Sequence, residues 1–479
     1  MAEITTNNSG NEYRTSEERD AVNGRLKAEG GEWTSMPPDY TTFSRDLMFR
    51  KLDEVHKVVN EETDADKAEI DEAYEQSARF LDKSFDMYLG EKALDLSIAR
   101  AFVVPMRSDR ANESYASESI PFMPLLDPNR FAVGSEIRMR AIYGLPPTVL
   151  DTYTKSDRKG EAGALVLAPL YNDMEHDIRQ DKYNYEQRIR LLEVGGHVLR
   201  HTVDFAHKQL GARVIGLGAT LPKITGFGNV LRSMEGMGNL ITTTGHGGTV
   251  YMIVETARKI MEETSIVSEG KIGVIGGAGS IGWASTIATL EMIKDHKIYS
   301  FDTRDTRLHG MVAKSHKENE ISVLGSIADV LCDTNIIITA VTGRIDLDDP
   351  QFDGIDLTGK VIIDDSQPGC FDMAQVEARG GKLVWVVGED GSDTGFMTRD
   401  GYHTNGIPYN YGDRSGLWGS ASEFACGQEA AVIAKYAAYD RAIHDPVTPN
   451  NVREVGKYLQ RSGARVAPFQ AFGQRVHID

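Results

Sequence analysis

Between residues 271 and 304 the chain reads KIGVIGGAGSIGWASTIATLEMIKDHKIYSFDTR, and no other stretch restricts the fold as much. Residues 272–275 form an apolar run of the kind that makes a buried parallel strand. Gly277-Ala278-Gly279-Ser280-Ile281-Gly282 follows at once with G-x-G-x-x-G spacing. A helical apolar pattern comes next, through Trp283, Ile287, Leu290, Met292 and Ile293, and a second strand at 297–301 ends at Asp302. Each glycine has a physical reason. Gly277 permits a tight turn, Gly279 lets the main chain approach a pyrophosphate, and Gly282 lets helix and strand pack closely. The helix start, at Ser280 and Ile281, then offers free N–H groups and a positive dipole end to the phosphates. An acid about 20 residues beyond the glycines completes the pattern. A glycine turn with no nucleotide is the alternative, and the flanking strand, helix and acid argue against it. Asp302, Thr303 and Arg304 are expected at the adenosine end.

The strand and helix alternation continues beyond this unit. Residues 321–324, 335–341, 360–365 and 382–387 read as strands, with a short helix at 326–331, as a doubly wound parallel sheet requires. Val341 and Thr342, where the second of these strands ends, join the expected cofactor contacts. Upstream, 163–168 and 213–217 read as strands around a long helix at 186–210. The predicted fold is α/β, a Rossmann-type doubly wound parallel sheet domain inside a larger α/β substrate domain, with a helical N-terminal extension. The expected segments are a loose polar arm at 1–40, the helical extension at 41–110, a substrate domain at 111–264, the nucleotide domain at 265–405 and closing helices at 406–479. In the extension, Met48, Leu52, Val55 and Val59 fall at helical spacing, as do Tyr74, Ala78, Leu81, Phe85 and Tyr88, which predicts an αα-hairpin for packing, for self-association or for a partner protein. A Gly/Asp/Asn/Tyr-rich stretch at 389–416 is long enough to be a lid.

Composition excludes several classes. None of the 479 residues falls in an apolar run of 18 or more, so no membrane span is expected. Three cysteines in so long a chain imply a reducing compartment, and the first 20 residues lack signal-peptide character, so the cytoplasm is expected. A net charge of −19 argues against nucleic acid or an anionic membrane as partner.

Cys426 carries the chemistry of most interest. Ser420 and Glu423 have capping-box spacing, which predicts a helix starting just before the thiol. The positive end of that helix would lower the thiol's proton affinity and favour thiolate. A buried structural cysteine is the competing reading of the same residues. Cys332 and Cys370 lack these features. The stretch Ile241-Thr242-Thr243-Thr244-Gly245-His246-Gly247-Gly248-Thr249 precedes a helix and reads either as a polar pocket wall or as a plain glycine-rich loop. His197 and His201 have metal-ligand spacing but no third ligand, so no metal is expected.

Residues from about 142 to 476 resemble the cyanobacterial long-chain acyl-acyl-carrier-protein reductases, which form fatty aldehydes. The resemblance runs in order through Pro146-Pro147-Thr148-Val149-Leu150-Asp151, Arg188-Ile189-Arg190, Gly216-Leu217-Gly218-Ala219, Thr243-Thr244-Gly245, the Gly277 fingerprint, Val361-Ile362-Ile363-Asp364 and Phe424-Ala425-Cys426 with Glu429. It implies an NAD(P)H-dependent reductase of acyl-carrier-protein or coenzyme A thioesters, with Cys426 as acyl-accepting nucleophile. His246 and Thr249 are then candidates for oxyanion donors. Asp302-Thr303 stands where those NADPH-using enzymes carry an arginine, and the carboxylate favours NADH over NADPH. His246-Gly247-Gly248 stands where that family more often has Asn-Thr-His. The alternatives are a shikimate-type or amino-acid-type dehydrogenase with no covalent step, and a nucleotide-binding scaffold subunit.

Overall fold

The structure is a computed structural model that describes residues 44–94, 97–106, 123–126, 130–131, 145–155, 162–171, 185–234, 239–263, 271–293, 296–366, 369–389, 394–396, 422–471 and 474–478. The arm at 1–40 and most of the lid candidate lie outside these residues.

Helices α1 (Arg45–Glu62) and α2 (Lys67–Tyr88) form the expected hairpin. Ser44 Oγ caps the first and Asp66 the second, each accepting from an amide of the first turn. Met48, Leu52, Val55 and Val59 are buried. On α2 the buried stripe runs through Ile70, Ala73, Phe80, Leu81 and Phe85, so Tyr74, Ala78 and Tyr88 from the predicted stripe sit at its edge. Tyr74 uses its edge position to donate its hydroxyl to Asp53 at 2.6 Å. Each fully buried Phe or Leu stabilises the hairpin's attachment by about 1.5–3 kcal/mol.

The hairpin packs on a six-stranded mixed sheet built from β1 (Ile98–Met106), β2 (Thr148–Lys155), β3 (Ala162–Tyr171), β4 (Val214–Leu217), β5 (Ile241–Thr243) and the later β13 (Thr394–Phe396), in the order β13-β2-β3-β1-β4-β5. Strand β1 falls inside the segment expected to be helical extension, yet it sits mid-sheet, parallel to both β3 and β4. Both its faces are covered, with Ala101, Phe102, Val103 and Val104 all buried, so it lacks the alternation that marks a half-exposed strand. Helix α3 (Tyr185–Lys208) covers one face.

The second sheet contains β6 (Ile272–Ile275), β7 (Ile298–Phe301), β8 (Ile321–Val323), β9 (Ile336–Thr339), β10 (Val361–Asp364) and β11 (Lys382–Trp385). Every pairing is parallel and the order is β11-β10-β9-β6-β7-β8. Strand order therefore reverses between β6 and β9, which is the doubly wound Rossmann arrangement, with its crevice at the carboxyl ends of those two strands.

Helix α4 (His246–Glu263) joins the halves. It is buried almost all round, through Val250, Met252, Ile253, Val254, Ala257 and Ile260, as an apolar helix must be. It packs against α5 (Ser280–Met292) of the nucleotide unit. Helices α6 (Asp305–Ser315), α7 (Ile327–Asp333) and α8 (Met373–Ala378) flank the second sheet. A small antiparallel sheet of β12 (Val387–Glu389), β14 (Ser422–Phe424) and β15 (Arg465–Val466) returns the chain toward the first half. Helix α9 (Ala425–Lys435) then packs on β4 and β1, and α10 (Pro449–Ser462) on α4. The return is pinned by Arg100 of β1, whose guanidinium forks onto Glu423 at 2.8 and 3.3 Å with both side chains largely buried. No helix among the described residues is long and apolar enough to cross a membrane.

Candidate functional site

The glycine loop fills the crevice as the sequence requires. A Cβ on Gly282 would overlap the Gly276 carbonyl oxygen, so only glycine lets α5 start this close to β6. Gly277 packs against Ser300 on β7. Neither of these two lines the cavity, whereas Gly279, Ser280 and Ile281 do. Gly279 is the N-cap of α5 and supplies no side-chain cap, so the first amides of the helix are offered outward. These features fit a dinucleotide pyrophosphate. The Ser280 hydroxyl accepts from the Val447 amide at 2.9 Å, which leaves its proton to give. Thr303, Val341 and Thr342 line the same space, and Val341 holds Ser366 by accepting its hydroxyl at 2.8 Å.

Asp302 turns inward from the end of β7. One carboxylate oxygen accepts the Ala278 amide at 2.9 Å, and the other accepts the Arg304 amide at 2.8 Å and its Nε at 3.1 Å. A third Arg304 nitrogen stands 3.4 Å from the first oxygen. Burial raises this carboxyl, but the bonds from Arg304 and Ala278 outweigh it and hold the group below the ordinary aspartate range. The acid expected at the ribose is thus already engaged by its own loop. Arg307 and Lys314 of α6 line the same wall and were not anticipated.

Across the cavity two helix starts meet. Gly245, with a positive φ of 73°, leaves space for a Cβ only 2.5 Å from the Cys426 Cβ, and a Cβ on Gly248 would stand 2.5 Å from the Ala425 carbonyl oxygen. These glycines let α4 approach α9 at Cys426. Glu429, one turn after Cys426, accepts from the Gly248 amide at 2.8 Å and from the Thr243 hydroxyl, and the Gly247 and Gly245 amides also bond to it. Thr243 Oγ in turn accepts from the Ile443 amide at 3.0 Å.

Two expectations about Cys426 are corrected. Its helix starts at Ala425, with Phe424 as N-cap and no side-chain cap, because residues 422–424 pair as β14 with β12. Glu423 serves Arg100, and Ser420 lies outside the described residues. The thiol's proton affinity is raised and not lowered. Burial, then the charges of Asp365 and Glu423, outweigh the helix start and the amides at Cys426 and Gly427. Cys426 is a held thiol, partly open to the cavity.

His246 and Thr249 line the cavity with Cys426, so the expected chemical residues and the glycine loop share one space of about 2150 Å³. His246 is neutral. Burial and the nearby Lys223 charge push it down to about 3, and its Nδ1 has no partner among the described residues. The ring packs edge-on against Phe227 at 5.9 Å. The His197 and His201 rings lie 4.4 Å apart, tilted at 57°, and no group of metal-ligating side chains occurs among the described residues.

Sequence reasoning missed Asp365, which lines the cavity at the end of β10. A double acid, Asp364-Asp365, closing an apolar parallel strand was the available signal. Asp364 accepts from Thr339 Oγ at 2.9 Å, the Ser366 amide at 2.9 Å and the Cys370 amide at 2.8 Å. Asp365 has no such donors among the described residues, and burial beside Asp364 raises its carboxyl well above the usual range.

No protein-family model and no curated protein matches this chain. Among solved structures it is similar to shikimate dehydrogenase from Aquifex aeolicus, at 12% identity over 76% of this chain and 98% of that one, with a TM-score of 0.30. It is similar to L-tryptophan dehydrogenase from Nostoc punctiforme, at 11% identity over 78% and 91%, with a TM-score of 0.29. It is also similar to the Δ1-pyrroline-2-carboxylate reductase of Thermococcus litoralis, solved with NADH and L-proline, at 18% identity over 24% of this chain and with a TM-score of 0.20; the match spans 36% of that protein. Likeness of this degree carries no argument about chemistry here.

Proposed function

We propose that this chain is a nicotinamide-dependent oxidoreductase that reduces an acyl thioester, carried by acyl carrier protein or coenzyme A, to an aldehyde through an acyl group bound to Cys426. One observation carries the reading: the Cys426 thiol and the phosphate-binding start of α5 line a single cavity between the two sheets. A dehydrogenase with no covalent step would not need a cysteine at the meeting of two helix starts.

Cys426 accepts the acyl group in an exchange that is nearly balanced, one thioester for another. The α5 amides, with Ser280, would hold the pyrophosphate of a dinucleotide, and Asp302 would favour NADH at the adenosine ribose. A reduced nicotinamide bound there would supply hydride. His246 and Thr249, which line the cavity with the thiol, would donate to the carbonyl oxygen as charge develops on it. For His246 this requires the neutral ring to carry its proton on the nitrogen facing the cavity, which its depressed proton affinity permits.

Intact-mass measurement after incubation with an acyl-CoA, without reductant, tests the reading. A gain of one acyl group that disappears in Cys426→Ala is the expected result, and Cys426→Ser is expected to make no aldehyde. Aldehyde formation by Cys426→Ala at more than a few per cent of wild type would exclude a covalent route.

A further inference from the structure

A thiol held in its protonated form cannot attack a thioester until something takes the proton. The cavity offers few groups for this. Glu423 is committed to the Arg100 fork. Glu429 is fully buried under Thr243 and the glycine amides and does not line the cavity. His246 is too weak a base, Lys223 is a cation, and Asp364 is saturated by Thr339, Ser366 and Cys370. Asp365 is left. Consecutive side chains at a strand end point to opposite sides, so Asp364 turns into the sheet while Asp365 faces the space that Cys426 shares.

We infer that Asp365 is the proton carrier of the Cys426 acyl transfer, an inference that rests on the thioester reading above. The Cys426 Sγ–carbon bond forms and the substrate's carbon–sulfur bond breaks. The thiol proton passes to the Asp365 carboxylate and from there to the departing thiolate, so a free thiol leaves and nothing is oxidised or reduced. The two groups are coupled in a useful direction. After burial, the Asp365 charge is the strongest influence keeping the proton on Cys426. Once Asp365 takes the proton that charge is gone, and the obstacle to the thiolate goes with it. A carboxylate with Asp364 beside it and no hydrogen-bond donors among the described residues is also a stronger base than an isolated one in solvent.

The test pairs two reactions of the same thiol in wild type, Asp365→Asn and Asp365→Glu. Acylation by an acyl-CoA without reductant is followed by intact mass, and alkylation by iodoacetamide is followed across pH. In Asp365→Asn the alkylation profile should move to lower pH, because a negative neighbour is gone. The acylation rate constant should nevertheless fall about 100-fold or more, the scale of a lost general base. Asp365→Glu should recover part of the acylation. A residue acting only through its charge would speed both reactions. Acylation of Asp365→Asn within threefold of wild type overturns the inference, as does loss of both reactions together with no recovery in Asp365→Glu. A wild-type protein that takes up no acyl group overturns the thioester reading as well.

Discussion

Glu429 accepts the Gly248 amide at 2.8 Å, so a carboxylate on the helix that bears Cys426 closes the first turn of the helix that bears His246. Burial raises this carboxyl, and the Thr243 hydroxyl and the glycine amides only partly offset that. Glu429→Ala would leave those amides buried and unpaired, at a cost of about 1–3 kcal/mol for each group left without a partner. Chemical denaturation should show the lost stability. Acylation of Cys426 should fall as well, because the two helix starts are no longer held in register. A variant as stable as wild type would mean that the clamp is not needed.

Two glycines of the phosphate loop should separate binding from folding. Gly279 has φ −75° and ψ 165°, a conformation any residue adopts, and a Cβ there would stand 3.1 Å from the Gly276 carbonyl oxygen. Gly279→Val should therefore fold, lose dinucleotide affinity at least tenfold by calorimetry, and still acylate Cys426. Gly282→Ala, whose Cβ overlaps Gly276, should lower the unfolding midpoint instead.

Arg304 decides what Asp302 can do. While the guanidinium lies on the carboxylate, both oxygens are occupied by Arg304 and Ala278, and a ribose hydroxyl must displace the arginine. Arg304→Ala frees the carboxylate to accept that hydroxyl and leaves its charge uncompensated against a 2′-phosphate. The kcat/KM ratio for NADH over NADPH should rise about tenfold, which corresponds to about 1.4 kcal/mol. A fall in that ratio would assign Arg304 to a phosphate. Asp302→Ala should move the ratio the other way.

His246 ties stability to pH. Its ring is pushed from an ordinary 6.5 to about 3, so between these values an unfolded chain takes up a proton that the folded chain refuses. The fold keeps its full stability from this residue above pH 6.5 and loses it as pH falls toward 3. By pH 5 the loss is about 2 kcal/mol. His246→Asn should flatten the profile between pH 7 and 5 by that amount in denaturant titrations. An unchanged profile would mean that the ring is solvated.

Much of the nucleotide unit was legible because its signals are local: β6, the glycines and α5 are contiguous, and one period governs each element. The hairpin α1–α2 was legible for the same reason. What escaped was set by distant parts of the chain. Strand β1 shows no alternation because β3 and β4 bury it from both sides. The start of α9 moved because residues 422–424 found a partner in β12, and a capping signal gives way to strand pairing when the partner strand is in place. The thiol's proton affinity was misjudged because the helix-end effect is visible in sequence, whereas burial and the Asp365 charge come from elements folded in from elsewhere.

The fork from Arg100 to Glu423 spans 323 positions. At about 5–20 residues per second, a ribosome needs on the order of half a minute between the two codons. Throughout that interval β1, and β4 once it is made, show the apolar surface that α9 later covers, and Arg100 has no counter-ion from β14. The thiol centre is therefore among the last parts of the molecule to be assembled. A chain interrupted before residue 423 would carry the strands of both sheets but neither Glu423 nor Cys426, so the sulfur of the proposed acyl transfer is added only after the nucleotide-binding strands have been synthesised.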